Sequence, residues 1–305
     1  MSMADDHPLP PEPPEPAEPL PHDPEPPPPE ISAPVEFAPV RTEIAQPAVR
    51  TVPEDLRVPW NWADLLIFGI VVLAATIFFS VALMIGFAAF GISTTVLRQP
   101  GSEQSFFALV TQVILLAVLL GYLALQIRLR TATPFWRTIG WRGLSRLRAP
   151  RFASYAGILA FGFAFAAAIE FLSGLIGTKA KLPIETMFQD RRSAILFMVM
   201  AVLVAPVIEE TIFRGYIYPV VARSFGVATG VIATGVLFGL LHAPQLWGGW
   251  GQIVLLVIVG IVFTWARAAA RTVVASYLLH LSYNSLVCIV FLVTSHGLRH
   301  LPGGP

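Results

Sequence analysis

Acidic residues are nearly absent from most of this chain. Of the 19 Asp and Glu residues, 12 lie before Val58, and the 247 residues after it hold only seven. Overall 13% of residues are charged and 55% are hydrophobic, whereas soluble domains carry about 25% charged residues. That shortage excludes an ordinary water-soluble domain after residue 58 and reads as a polytopic helical membrane protein. The single cysteine, Cys288, excludes an intramolecular disulfide. No basic patch is interleaved with aromatics, which excludes nucleic acid as the expected partner. The first 58 residues lack an apolar stretch and are acidic, so they read as neither a signal peptide nor an organelle transit peptide. Walker-type and dinucleotide glycine motifs are missing, as is His-Glu-x-x-His. Ser193 and Ser282 lack a nucleophile elbow, which disfavours a serine mechanism.

Proline, by contrast, is concentrated. Eighteen of the 27 prolines lie before Trp60, in strings such as Pro11-Glu12-Pro13-Pro14-Glu15-Pro16. Proline fixes φ and removes the amide donor, so residues 1–58 are expected to form a disordered acidic tail. Its plainest role is a solvated tether; a docking arm for a proline-reading domain is the alternative.

Seven apolar segments follow, near 64–91, 105–127, 152–177, 193–213, 225–242, 251–266 and 273–295. The expected fold is therefore all-α, a transmembrane bundle of about seven spans over residues 59–305. Six to eight fit the segment lengths, since a span needs about 20 residues. The seven tryptophans fall at or near segment ends, where indoles favour the headgroup level. Seven arginines lie in the loop 128–151, and an alternating path with that loop inside puts 14 basic residues inside and six outside. The count favours a cytoplasmic N-terminus, and the expected setting is a bacterial plasma membrane. On that path Glu209 lies near the inner end of its helix and His242 near the outer end of the next. An interfacial helix over 215–224, outside the core, is one way to reconcile the depths.

The polar residues left in the apolar segments carry the chemistry. Charges at membrane depth are costly and face a cavity or a partner. Glu210 and Arg214 are four apart and meet on one helix face. Their pairing leaves Glu209, about 100° away, free to act as a general base or to remain a spectator. Phe238 and His242 share a face, with Gly235 and Gly239 allowing a close helix neighbour. His242 reads as a catalytic partner or as an interfacial histidine. His280 and Asn284 share another face and either donate to an oxyanion or bond across helices. Glu209, His242 and His280 also supply the donor types of a two-histidine, one-carboxylate zinc site. Glu170 reads as support for the site or as the partner of a lipid-facing cation. Asp64, at a helix start, reads as structural.

At these residues the sequence resembles the CPBP family of intramembrane proteases, which includes type II CAAX prenyl endopeptidases and bacterial bacteriocin-processing and immunity proteins. The matching motifs are Glu209-Glu210-x-x-x-Arg214, Phe238-x-x-x-His242 and His280-x-x-x-Asn284. They are intact and in order, within a core of about residues 190–295. The resemblance implies an intramembrane endopeptidase acting near the terminus of a membrane-associated protein or peptide. It implies that Glu209 and His242 activate water, that His280 and Asn284 hold the oxyanion, and that Glu210, Arg214 and Phe238 support them. It implies no required cofactor, with zinc or another divalent metal on Glu209, His242 and His280 as the alternative. The expected partners are the bilayer and the membrane-associated substrate. Two other readings stay open: a non-catalytic membrane scaffold or bacteriocin-immunity protein, and a proton-coupled transporter. No internal repeat favours the transporter.

Overall fold

Long apolar runs satisfy their backbone only as helices in a bilayer, and helices are what the chain forms. The computed structural model describes residues 52–91, 102–144, 151–177, 183–188 and 190–301. Among the described residues there is no strand. The principal helices are α1 (Trp62–Ala89), α2 (Ser102–Arg128), α3 (Arg151–Ile176), α5 (Val227–Leu241), α6 (Trp250–Ala270) and α7 (Val273–Thr294). Between α3 and α5 runs α4, a composite over Arg191–Phe225. Six of these, all but α5, are long and apolar enough to cross a membrane. The expected all-α bundle is what the structure shows.

The composite helix alternates in winding. Its α-helical stretches Arg191–Val199, Ala205–Glu210 and Tyr218–Phe225 are separated by π-helical turns at Met200–Val204 and Thr211–Ile217. It ends at Gly226, whose φ of 90° and ψ of 159° suit glycine and little else. The interfacial helix expected over 215–224 is not formed. Tyr216, Tyr218, Val220 and Ala222 are buried, and this stretch continues α4 through the core. The depth problem dissolves as a result. Glu209 lies about 16 residues before the end of α4 and His242 about 16 residues beyond Gly226. At 1.5 Å per residue both sit about 24 Å from the turn, hence level with each other.

Close helix contact holds this level. A Cβ on Gly235 of α5 would lie 2.4 Å from the Ile261 backbone nitrogen of α6, and one on Gly260 would lie 2.5 Å from the Gly235 carbonyl oxygen. The small residues read from the sequence thus mark the α5–α6 seam. α3 packs along α7 and closes the other side.

The acidic tail lies outside the described residues up to Thr51, but Val52–Trp60 is described and packs on the bundle. Leu56 and Trp60 are buried. The Trp60 indole stacks on Tyr216 at 5.2 Å and donates to the Tyr216 carbonyl at 2.9 Å. Arg223 donates to the Val58 and Trp60 carbonyls. Asp55 pairs with the buried Arg267 at 2.9 Å. Trp60 is thus buried rather than exposed at a helix end, with a carbonyl acceptor and an aromatic partner in Tyr216. Trp62, Trp136, Trp247, Trp250 and Trp265 are exposed. Asp64 completes a capping box with Asn61 at the start of α1 and accepts both terminal nitrogens of Arg130, which is the structural role read for it.

Gly235→Ala should lower stability by about 3 kcal/mol, because the added methyl meets backbone that cannot step aside. Gly69→Ala, whose Cβ has nothing within 4 Å, should change it by less than about 1 kcal/mol. Thermal unfolding of both variants in detergent checks the contrast, and equal shifts would contradict the packing account.

Candidate active site

Arg214 is the fixed point of the site. Its side chain is fully buried, as is that of Glu210. A buried guanidinium is tolerated only when its donors are matched. Arg214 Nη1 donates to Glu210 Oε1 at 2.9 Å, Nη2 to the Gly260 carbonyl at 2.9 Å, and Nε to Thr264 Oγ1 at 3.1 Å. The Phe238 ring lies 4.5 Å from the guanidinium carbon and the Phe263 ring 5.5 Å, so the cation also has aromatic faces. Lysine could not replace this planar fork.

Glu210 is shared. Its Oε1 also faces His280 Nδ1 at 3.0 Å. A carboxylate only accepts, so Nδ1 carries the proton and Nε2 is turned the other way. On the facing helix, His242 Nδ1 lies 2.8 Å from the Phe238 carbonyl. A carbonyl also only accepts, so this Nδ1 is protonated too and its Nε2 is likewise free. The two Nε2 atoms converge on Glu209. His242 Nε2 is 3.9 Å from Glu209 Oε1, and His280 Nε2 is 3.8 Å from Glu209 Oε2. Both gaps are too long for a direct hydrogen bond and suit a bridging water. Glu209, His242 and His280 thus come together from α4, the end of α5 and α7.

Asn284 arrives by a different route. In the first π turn the Ala205 amide donates to the Met200 carbonyl, five residues back. The next such bond would run from residue 206 to Ala201, but Pro206 has no N–H. The orphaned Ala201 carbonyl accepts from Asn284 Nδ2 at 2.7 Å instead. One amide hydrogen of Asn284 remains.

Glu209, Phe238, His242, His280 and Asn284 line one cavity of about 410 Å³, otherwise walled mainly by apolar side chains. Glu170 lines it as well, and no cation pairs with it among the described residues. The lipid-facing ion pair considered for Glu170 is therefore not formed there. Sequence reasoning missed Thr264 and Gly260, the acceptors that complete Arg214. Their signal was faint: a glycine and a threonine four apart in an apolar helix, where Thr264 itself donates to the Gly260 carbonyl at 2.7 Å. Pro206 within Val204-Ala205-Pro206-Val207 was the readable sign of the orphaned carbonyl.

Glu209, His242 and His280 are the donors of the alternative metal set. Among the described residues no group of three or more His, Cys, Asp or Glu is placed to hold a metal ion. Glu209 turns one oxygen toward each imidazole, at 3.9 and 3.8 Å.

Replacing Arg214 with methionine should cost about 3–5 kcal/mol, because Glu210 would be left buried without its cation. Arg214→Lys should recover only part of that loss. Unfolding midpoints in detergent check this, and a wild-type midpoint for Arg214→Met would contradict the anchor.

Residues 191–286, which hold all three polar motifs, match the family model described as Type II CAAX prenyl endopeptidase Rce1-like. No curated protein and no solved structure matches the chain. The six long apolar helices describe an integral, multi-pass membrane protein. Over residues 191–286 the chain is similar to the type II CAAX prenyl endopeptidases, the family its motifs resemble.

Proposed function

We propose that this protein is an intramembrane endopeptidase that hydrolyses a peptide bond near the terminus of a membrane-associated protein or peptide. The observation that carries this reading is the convergence of two Nε2 atoms on Glu209 across gaps of 3.8 and 3.9 Å, at the wall of an apolar cavity. A water in the gap reaches the carboxylate and the His242 lone pair together. Glu209 takes its proton as general base while the water oxygen bonds to the scissile carbonyl carbon. The electron pair of the carbonyl moves onto oxygen.

His280 and Asn284 receive that oxyanion. His280 donates from Nε2 when both ring nitrogens carry protons, its ring held by Nδ1–H on Glu210. The free amide hydrogen of Asn284 is the second donor. Such fixed donors stabilise charge as it develops and need no reorganisation. Collapse of the intermediate breaks the carbon–nitrogen bond, and the proton held by Glu209 passes to the departing amine. Glu210, Arg214 and Phe238 hold His280 and the helix geometry rather than touch substrate. With the arginine-rich face toward the cytoplasm, the N-terminus lies on the same side.

Glu209→Gln keeps size and helix propensity and removes the base. Turnover of a membrane-protein or peptide substrate by purified protein should fall at least about 100-fold. Folded Glu209→Gln protein with wild-type turnover would overturn the assignment and favour a non-catalytic scaffold.

A further inference from the structure

The cavity has a second carboxylate that hydrolysis does not use. Glu170, on α3, lines the same cavity as Glu209. Glu209 is faced by two imidazoles, whereas Glu170 has neither an ion-pair partner nor a hydrogen-bond donor among the described residues. An intramembrane carboxylate without a partner points to something that binds there. It is not alone. Gln252 Oε1, also at the cavity wall, is buried and has no hydrogen-bond donor. Ser173 lies on the same wall, one turn along from Glu170. Tyr283 lies within electrostatic reach of Glu170, and it is one turn beyond His280 on α7.

Among the described residues no lysine or arginine lines the cavity, so no fixed cation there competes for the Glu170 carboxylate. Carboxylate and amide oxygens suit N–H donors bearing positive charge. One helical turn is about 5 Å, and an extended peptide advances about 3.3 Å per residue. A cation at Glu170 therefore shares one cavity with a carbonyl held at His280, a few residues apart along an extended segment.

Resting on the hydrolytic reading above, we propose that Glu170, with Gln252, forms a cation-binding subsite that selects substrate segments carrying an ammonium or guanidinium group close to the scissile bond. An apolar segment with one basic residue fits the cavity; a segment presenting a free carboxylate there does not. Glu170 acts by binding and stays apart from the bond-breaking step.

The test uses full-length protein in detergent and fluorescent, apolar 12-residue peptides that are acetylated and amidated. One set carries a single lysine walked along the sequence, a second carries norleucine, a third carries glutamate, and a fourth is the norleucine peptide with a free N-terminus. Binding and cleavage are both measured. The best-placed lysine should be bound and cleaved at least about tenfold better than norleucine. A preference for the free N-terminus instead would identify the cation as a terminal ammonium. In Glu170→Gln the lysine preference should fall to about one, and in Glu170→Lys the glutamate peptide should become the preferred one. Cleavage without any cation preference in the wild-type protein overturns the subsite and leaves hydrolysis standing. Binding with a Glu170-dependent cation preference but no cleavage supports the subsite and overturns hydrolysis. Absence of preference in both assays overturns the subsite, whatever the variants do.

Discussion

The buried Arg214–Glu210 pair is the constraint on which the rest of this structure depends. A charge at this depth has to be matched atom by atom, and the matching fixes three helices at once. Arg214 binds α6 through Gly260 and Thr264. Glu210 binds α7 through His280. Phe238, on α5, covers the guanidinium. The α5–α6 seam must be tight for this to happen, which is why Gly235 and Gly260 meet backbone to backbone. Once these helices are set, the orientation of His280 follows from its bond to Glu210. Its second nitrogen can then face only the cavity and Glu209.

The π turns serve the same end. Widening a helix changes which face its residues present and leaves backbone groups unmatched, a recurring feature of functional sites. In α4 the two turns flank Glu209 and Glu210. One leaves the Ala201 carbonyl for Asn284, and Trp60 takes the Tyr216 carbonyl at the end of the other. Long-range contacts thus stabilise a helix whose own bonding is interrupted. They also bring the chain just after the acidic tail against the back of the polar cluster.

Much of this was legible in the residues themselves. The helical class followed from the missing charges, and the pairing of Glu210 with Arg214 followed from their spacing. The polar motifs, at helical intervals in apolar runs, picked out the residues that share the cavity. Other features depend on tertiary context that spacing does not encode. The turn at Gly226 is not marked by spacing, and the polar residues of 215–224 read as an interfacial helix outside the core. In fact Pro219 enters at the first turn of an α-helical stretch, where its missing amide is tolerated. Trp60 read as an interfacial indole because burial against Tyr216 needs a partner 156 residues away. Thr264 and Gly260 carried no charge to mark them, although they hold two of the donors of Arg214.

The central claim is that Glu209 and His242 direct water onto a peptide carbonyl with no covalent intermediate on the protein. Mass spectrometry of a single turnover in heavy-oxygen water tests it most directly. Direct attack by water gives one heavy oxygen in the newly formed carboxyl group and protein recovered at its unmodified mass throughout. Protein carrying the acyl fragment, or bound peptide that remains uncut, would contradict it.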